Sequence, residues 1–172
     1  MIVTVTPNPS IDRTVTLPSA LTRGAVHRVQ SVSNEPGGKG VNVARALTLA
    51  GMDAVAVLPA APGDPFLTLC DAAGVRTAAV AVGGTVRTNL AITESDGTTT
   101  KLNEPGAPLD AAAVAALTEA VIERAAAAQW VVLSGSLPPG APQGWYADVV
   151  AALRGLDCRV AVDTSEGPLA AL

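Results

Sequence analysis

Short β-branched runs alternate along this chain with apolar-periodic segments long enough for helices, and this alternation restricts the fold more than any other feature. Residues 2–6 are stopped at once by Pro7-Asn8-Pro9, as a buried strand entering a loop would be. Residues 53–58, 76–82, 130–134 and 159–162 share that strand character. Between them, helical patterns occupy 41–50 (closed by Gly51), 64–73 (closed by Gly74), an Ala-rich stretch from Asp110 to 128, and 145–154. Strands feeding helices of this length predict an α/β chain, with a mostly parallel sheet flanked by helices. Four pieces break the rhythm, at 13–17, 26–32, 87–94 and 98–103. They alternate polar with apolar residues, the mark of strands wet on one face, and the last two flank the hairpin signal Ser95-Asp96-Gly97. They predict a small separate β-sheet, a lid, beside the α/β body.

Composition removes several function classes. A chain with 49% hydrophobic and 15% charged residues can bury a core, so disorder is not expected. A net charge of −4 gives no reason to expect nucleic acid or an anionic membrane as partner. One Phe, one Tyr and two Trp supply no base-stacking platform either. Apolar stretches are broken by charges or proline well short of the ~20 residues that span a bilayer. The opening Met1-Ile2-Val3-Thr4-Val5 lacks the basic start of a signal peptide. Cys70 and Cys158 stand apart without metal-ligand spacing, as reduced core thiols do. The expectation is a soluble, cytoplasmic protein.

Gly37-Gly38-Lys39-Gly40-Val41-Asn42 holds the richest chemistry. Glycines before a helix let a ligand approach the backbone, and the free N–H groups of the helix start attract anions. Lys39 adds a positive charge there, and Asn42 follows Gly38 by one helical turn, so its amide can reach the same mouth. The pattern is neither a Walker A loop nor a GxGxxG fingerprint, and no GxGxxG follows the first strand.

Gly37-Gly38-x-x-x-Asn42-x-Ala44, followed by six residues and then Gly51, resembles the first signature of the PfkB (ribokinase-like) carbohydrate kinases. Thr6-Pro7-Asn8-Pro9-Ser10-Ile11-Asp12 before it resembles the same family. So do Arg87-Thr88-Asn89, Lys101-Leu102-Asn103-Glu104-Pro105-Gly106, Ser134-Gly135-Ser136-Leu137-Pro138-Pro139-Gly140 and Val162-Asp163-Thr164-Ser165, in the order the family has them. The resemblance implies that Asp12 and Asn42 hydrogen-bond sugar hydroxyls and that Gly38 offers backbone to the sugar. It implies that Lys39 and Arg87 clamp the phosphate the substrate already carries, that Ser136 lies near it, and that Asp163 lies near a metal. Asn89 and Asn103 are weaker candidates that line the lid, and His27 is expected at the rim without a catalytic role.

The resemblance also implies ATP as cosubstrate, Mg2+ as cofactor, a sugar phosphate as ligand and a homodimer formed through the lid. It makes residues 1–172 the N-terminal part of one kinase domain. The family's Asn-x-x-Glu and Gly-x-Gly-Asp motifs, which carry metal binding and the catalytic base, do not occur in these residues. The base and the nucleotide-binding half are therefore expected beyond Leu172, and no catalytic residue is expected within the chain. Two local departures stand out: Ala60-Ala61-Pro62 replaces a more usual glycine pair, and Glu166-Gly167 reverses a common Gly-Glu order. Lys39 between two glycines, and Ala25 where 6-phosphofructokinases of this family carry a lysine, point to fructose 1-phosphate as substrate. The alternatives are a tagatose-6-phosphate kinase, a 6-phosphofructokinase, or a non-catalytic sugar-phosphate binding fragment.

Overall fold

The computed structural model describes residues 1–172. In chain order its strands are β1 (Ile2–Val5), β2 (Ser10–Thr16), β3 (Ser31–Gly37), β4 (Ala54–Pro59), β5 (Thr77–Val80), β6 (Arg87–Thr93), β7 (Thr99–Asn103), β8 (Trp130–Ser134) and β9 (Arg159–Asp163). The helices are α1 (Lys39–Leu49), α2 (Pro65–Ala72), α3 (Ala111–Ala125), α4 (Trp145–Leu153) and α5 (Glu166–Ala170). Asp64 and Asp110 accept backbone N–H bonds as the N-caps of α2 and α3, which fixes where those helices start.

Five strands form the main sheet in the order β5-β4-β1-β8-β9, and every pairing is parallel. Alternate side chains leave its two faces. Val3, Val5, Val55 and Val57 pack with Leu117, Val121, Tyr146 and Val149 of α3 and α4. Ala56 and Leu58 pack instead with Val41, Ala44, Phe66 and Cys70 of α1 and α2. All six residues of β4 are buried, as a strand covered on both sides must be. Each such buried Val, Leu or Phe contributes about 1.5–3 kcal/mol relative to exposure, so the two-sided core holds the strand ends in place. The expected three-layer α/β body is present.

The four remaining strands form a second sheet in the order β3-β2-β6-β7. β2 and β6 run parallel, and the flanking pairs are antiparallel. This is the lid, with one correction. The strand expected at 26–32 lies instead at Ser31–Gly37, and Val26 is 93% exposed. Apolar alternation misplaced it because β3 carries little apolar sequence. Its register comes from pairing with β2, where Ser10 faces Gly37, and from the Arg13 Nε bond to Asn34 Oδ1 at 2.9 Å. Pro36 fits because β3 is an edge strand that leaves one row of amides unpaired. The short α5 was not expected from the sequence. Leu172 follows it at the surface, about half exposed.

Candidate functional site

The order of the main sheet reverses at β1: the chain builds outward through β4 and β5, then returns to lay β8 and β9 on the other flank. Open α/β sheets bind ligands outside the carboxyl ends of their strands at such a switch point. Here the loop after β1, the start of α1, the loop after β8 and the inner face of the lid enclose a cleft of about 290 Å³ with no hydrophobic lining residue. A hollow behind Pro7 and Pro9 has only about 20 Å³, room for a water and no more.

All six residues expected to contact substrate line this one cleft: Asp12, Gly38, Lys39, Asn42, Arg87 and Ser136. Asp12 enters from β2, where its Oδ1 accepts from Ser10 Oγ at 2.8 Å and from Asn89 Nδ2 at 3.2 Å. The pairing of Asp12 with Asn89 across β2 and β6 puts both on the inner face. A Cβ on Gly37 would collide with the Asp12 carboxylate, so glycine there lets the end of β3 press against it. Gly38 is the N-cap of α1 at φ 112, a conformation that L side chains rarely adopt, and no side chain caps the helix. The uncapped start of α1 thus lines the cleft at Gly38 and Lys39. Asn42 is exposed at its mouth.

Lys39 and Arg87 bring the positive charge. Lys39 Nζ forms an ion pair with Asp163 at the end of β9, 3.1 Å from Oδ2. Arg87 Nη1 donates to the Glu104 carbonyl at 2.8 Å, and Nη2 donates to the Asn8 carbonyl at 3.3 Å. Burial lowers the guanidinium pKa, opposed by the charges of Asp12 and Glu104. Arg87 Nε, Asn89 Oδ1 and Thr6 Oγ1 are buried without a hydrogen-bond partner, and all three residues line the cleft. Each unmet group costs about 1–3 kcal/mol, and a polar ligand seated in the cleft is a physical account of that cost.

Four residues that sequence reasoning did not single out organise this site. Asn8 Nδ2 donates to the Pro105 carbonyl at 3.0 Å and to Ser136 Oγ at 3.5 Å, joining the loops after β1, β7 and β8. Its place between Pro7 and Pro9 was the available signal. Glu104 Oε2 accepts from the Thr88 amide at 2.8 Å while its carbonyl holds Arg87. Tyr146 Oη and Thr164 Oγ1 both donate to the Gly135 carbonyl, at 3.0 and 3.1 Å, and so orient the turn that presents Ser136. Burial, and secondarily Asp163, pushes the Tyr146 hydroxyl pKa well up, so it stays a donor. Asn103 lines the lid's inner hollow beside Asp12 and Asn89. His27 Nε2 accepts the Thr22 amide at 3.0 Å and does not line the cleft.

A hard cation such as Mg2+ needs several oxygen ligands. No three His, Cys, Asp or Glu residues come together to supply them, and the Asp163 carboxylate is already matched by Lys39. These residues do not form a magnesium site on their own.

The chain belongs to the pfkB family of carbohydrate kinases, whose model matches residues 5–171. It is 40% identical over 172 residues to the 1-phosphofructokinase of Xanthomonas campestris, covering 98% of this chain and 54% of that protein. It is 34% identical over 173 residues to the ATP-dependent 6-phosphofructokinase isozyme 2 of Escherichia coli, covering 99% and 55%. Phosphofructokinase-2 from Escherichia coli in complex with fructose-6-phosphate superposes with a TM-score of 0.91 at 32% identity, covering 99% of this chain and 56% of that one. The chain spans about half the length of the curated relatives it matches.

Proposed function

We propose that residues 1–172 form the sugar-phosphate half of one kinase domain, whose reaction moves the γ-phosphoryl of ATP to fructose 1-phosphate, giving fructose 1,6-bisphosphate. The convergence of two cations, Lys39 and Arg87, with the hydroxyl-binding groups of Asp12 and Asn42 in one polar cleft carries this reading. A guanidinium and an ammonium suit the dianionic phosphate, and a carboxylate with an amide suits sugar hydroxyls. Catalysis by positioning and charge neutralisation is the usual mode of phosphoryl transfer. Asp12, Asn42 and the first amides of α1 would orient the attacking hydroxyl, with Lys39, Arg87 and Ser136 gripping the phosphate at the other end. ATP, its metal and the base that accepts the hydroxyl proton belong to residues beyond Leu172. Asp163 would stand beside that nucleotide region. The setting is cytoplasmic.

Fructose 1-phosphate is preferred because Lys39 stands between glycines and Ala25 offers no second cation, and because relatives named 1-phosphofructokinase match at up to 40% identity. Fructose 6-phosphate is the second reading, supported by the likeness to the isozyme 2 enzyme. A kinase assay of the full-length protein on a panel of sugar phosphates decides between them. In the same assay Arg87→Ala should lower kcat/KM for the sugar phosphate roughly 10- to 150-fold, the worth of a charged hydrogen bond of about 1.5–3 kcal/mol. Unphosphorylated fructose should be far less affected. Equal losses on both would show that Arg87 does not bind the phosphate.

A further inference from the structure

Asp64 is 5% exposed, and its carboxylate holds two backbone amides at once. Oδ1 accepts the Phe66 N–H at 2.9 Å and caps α2. Oδ2 accepts the Val86 N–H, also at 2.9 Å, from a residue 22 positions away. Val86 immediately precedes Arg87, the first residue of β6. Capping α2 needs only one oxygen, and serine, threonine or asparagine would supply it without burying a charge. A buried carboxylate is therefore chosen for the second bond, which it makes charge-assisted.

That second bond falls where the chain crosses from the α/β body into the lid. Gly83 and Gly84 precede it, with Gly84 at φ 85, and a Gly-Gly pair constrains the approach to β6 weakly. The start of β6 must then be fixed from outside its own loop. Resting on the reading that Arg87 grips the substrate's phosphate, we infer that Asp64 is a positioning residue for Arg87. It pins the Val86 amide to α2, sets where β6 begins, and so fixes where the guanidinium stands between the Asn8 and Glu104 carbonyls.

Asp64→Asn in the full-length protein separates the two bonds: the amide oxygen still caps α2, but its NH2 cannot accept from Val86. KM for fructose 1-phosphate should rise about 10-fold, the scale of a slightly displaced binding group, with KM for ATP unchanged. Combined with Arg87→Ala, Asp64→Asn should add no further rise in KM, because it acts through that side chain. Losses that multiply in the double variant would overturn the inference and leave Asp64 a purely structural cap. Asp64→Ser, which keeps the cap and cannot span to Val86, repeats the test if the asparagine variant does not fold. Failure of both variants to fold would assign Asp64 to the stability of the α2 junction and overturn the inference as well. The phosphate reading fails separately, if Arg87→Ala alone weakens fructose and fructose 1-phosphate equally.

Discussion

Glu166 adopts φ 55 and is the sole non-glycine residue of the chain with positive φ. L residues there hold Cβ close to the following carbonyl, at roughly 1–2 kcal/mol. The reversed Glu166-Gly167 order thus puts the side chain where the backbone favours glycine, and the glycine one residue late. Glu166→Gly should relieve that strain. After the larger backbone entropy of the unfolded glycine and the lost carboxylate of the first turn are subtracted, a gain of up to about 1 kcal/mol is left. Thermal unfolding of the full-length protein should then shift up, by at most about 2 °C. An unchanged or lower midpoint would mean that the Glu166 carboxylate contributes more than the strain costs. The departure was legible in the sequence, whereas its consequence needed the dihedral.

At the scale of elements, the lid shows where a sequence informs and where it falls silent. β6 and β7 were legible because Ser95-Asp96-Gly97 joins two alternating runs, and α3 because Asp110 caps it. β3 was not, because its sequence Ser-Val-Ser-Asn-Glu-Pro-Gly has no apolar period and its position is dictated by β2 across the sheet. The candidate ligands were legible as motifs, but Asn8, Glu104 and Asp64 act through backbone partners distant in sequence, which no local pattern reveals. The lid's strand registers also sort its faces. Val15, Val32, Leu90, Ile92 and Leu102 share the face opposite Asp12 and Asn89, and Val32 and Leu102 are 51% and 56% exposed. An apolar face of this kind, rimmed by polar residues, is where the homodimer that the family resemblance implies would form. Leu102→Lys should convert a full-length dimer to monomer in sedimentation experiments. A wild-type protein that is already monomeric would remove the lid as the interface.

Viewed whole, the molecule is a polar cleft set on a sheet with two unpaired edges, β5 and β9. Val160 and Val162 of β9 are only partly covered, and an open edge of this kind templates pairing with another chain. Residues 1–172 expressed alone should therefore self-associate as concentration rises. They should also turn over no ATP. Transfer to a sugar hydroxyl needs a carboxylate free to take the proton and donors around the γ-phosphoryl. One carboxylate lines this cleft, Asp12, and a second, Asp163, adjoins it through Lys39; both are engaged, Asp12 by Ser10 and Asn89, Asp163 by Lys39. Neither follows a Gly-x-Gly in sequence, the pattern that sets an acid beside an anion hole at a helix start. The check is a coupled ADP-release assay on the 172-residue chain with fructose 1-phosphate, with a no-sugar control and an Asn42→Ala control. No signal above the no-sugar control is expected. ADP release that requires the sugar phosphate and disappears in Asn42→Ala would mean that one of these two carboxylates is freed on binding and serves as the base.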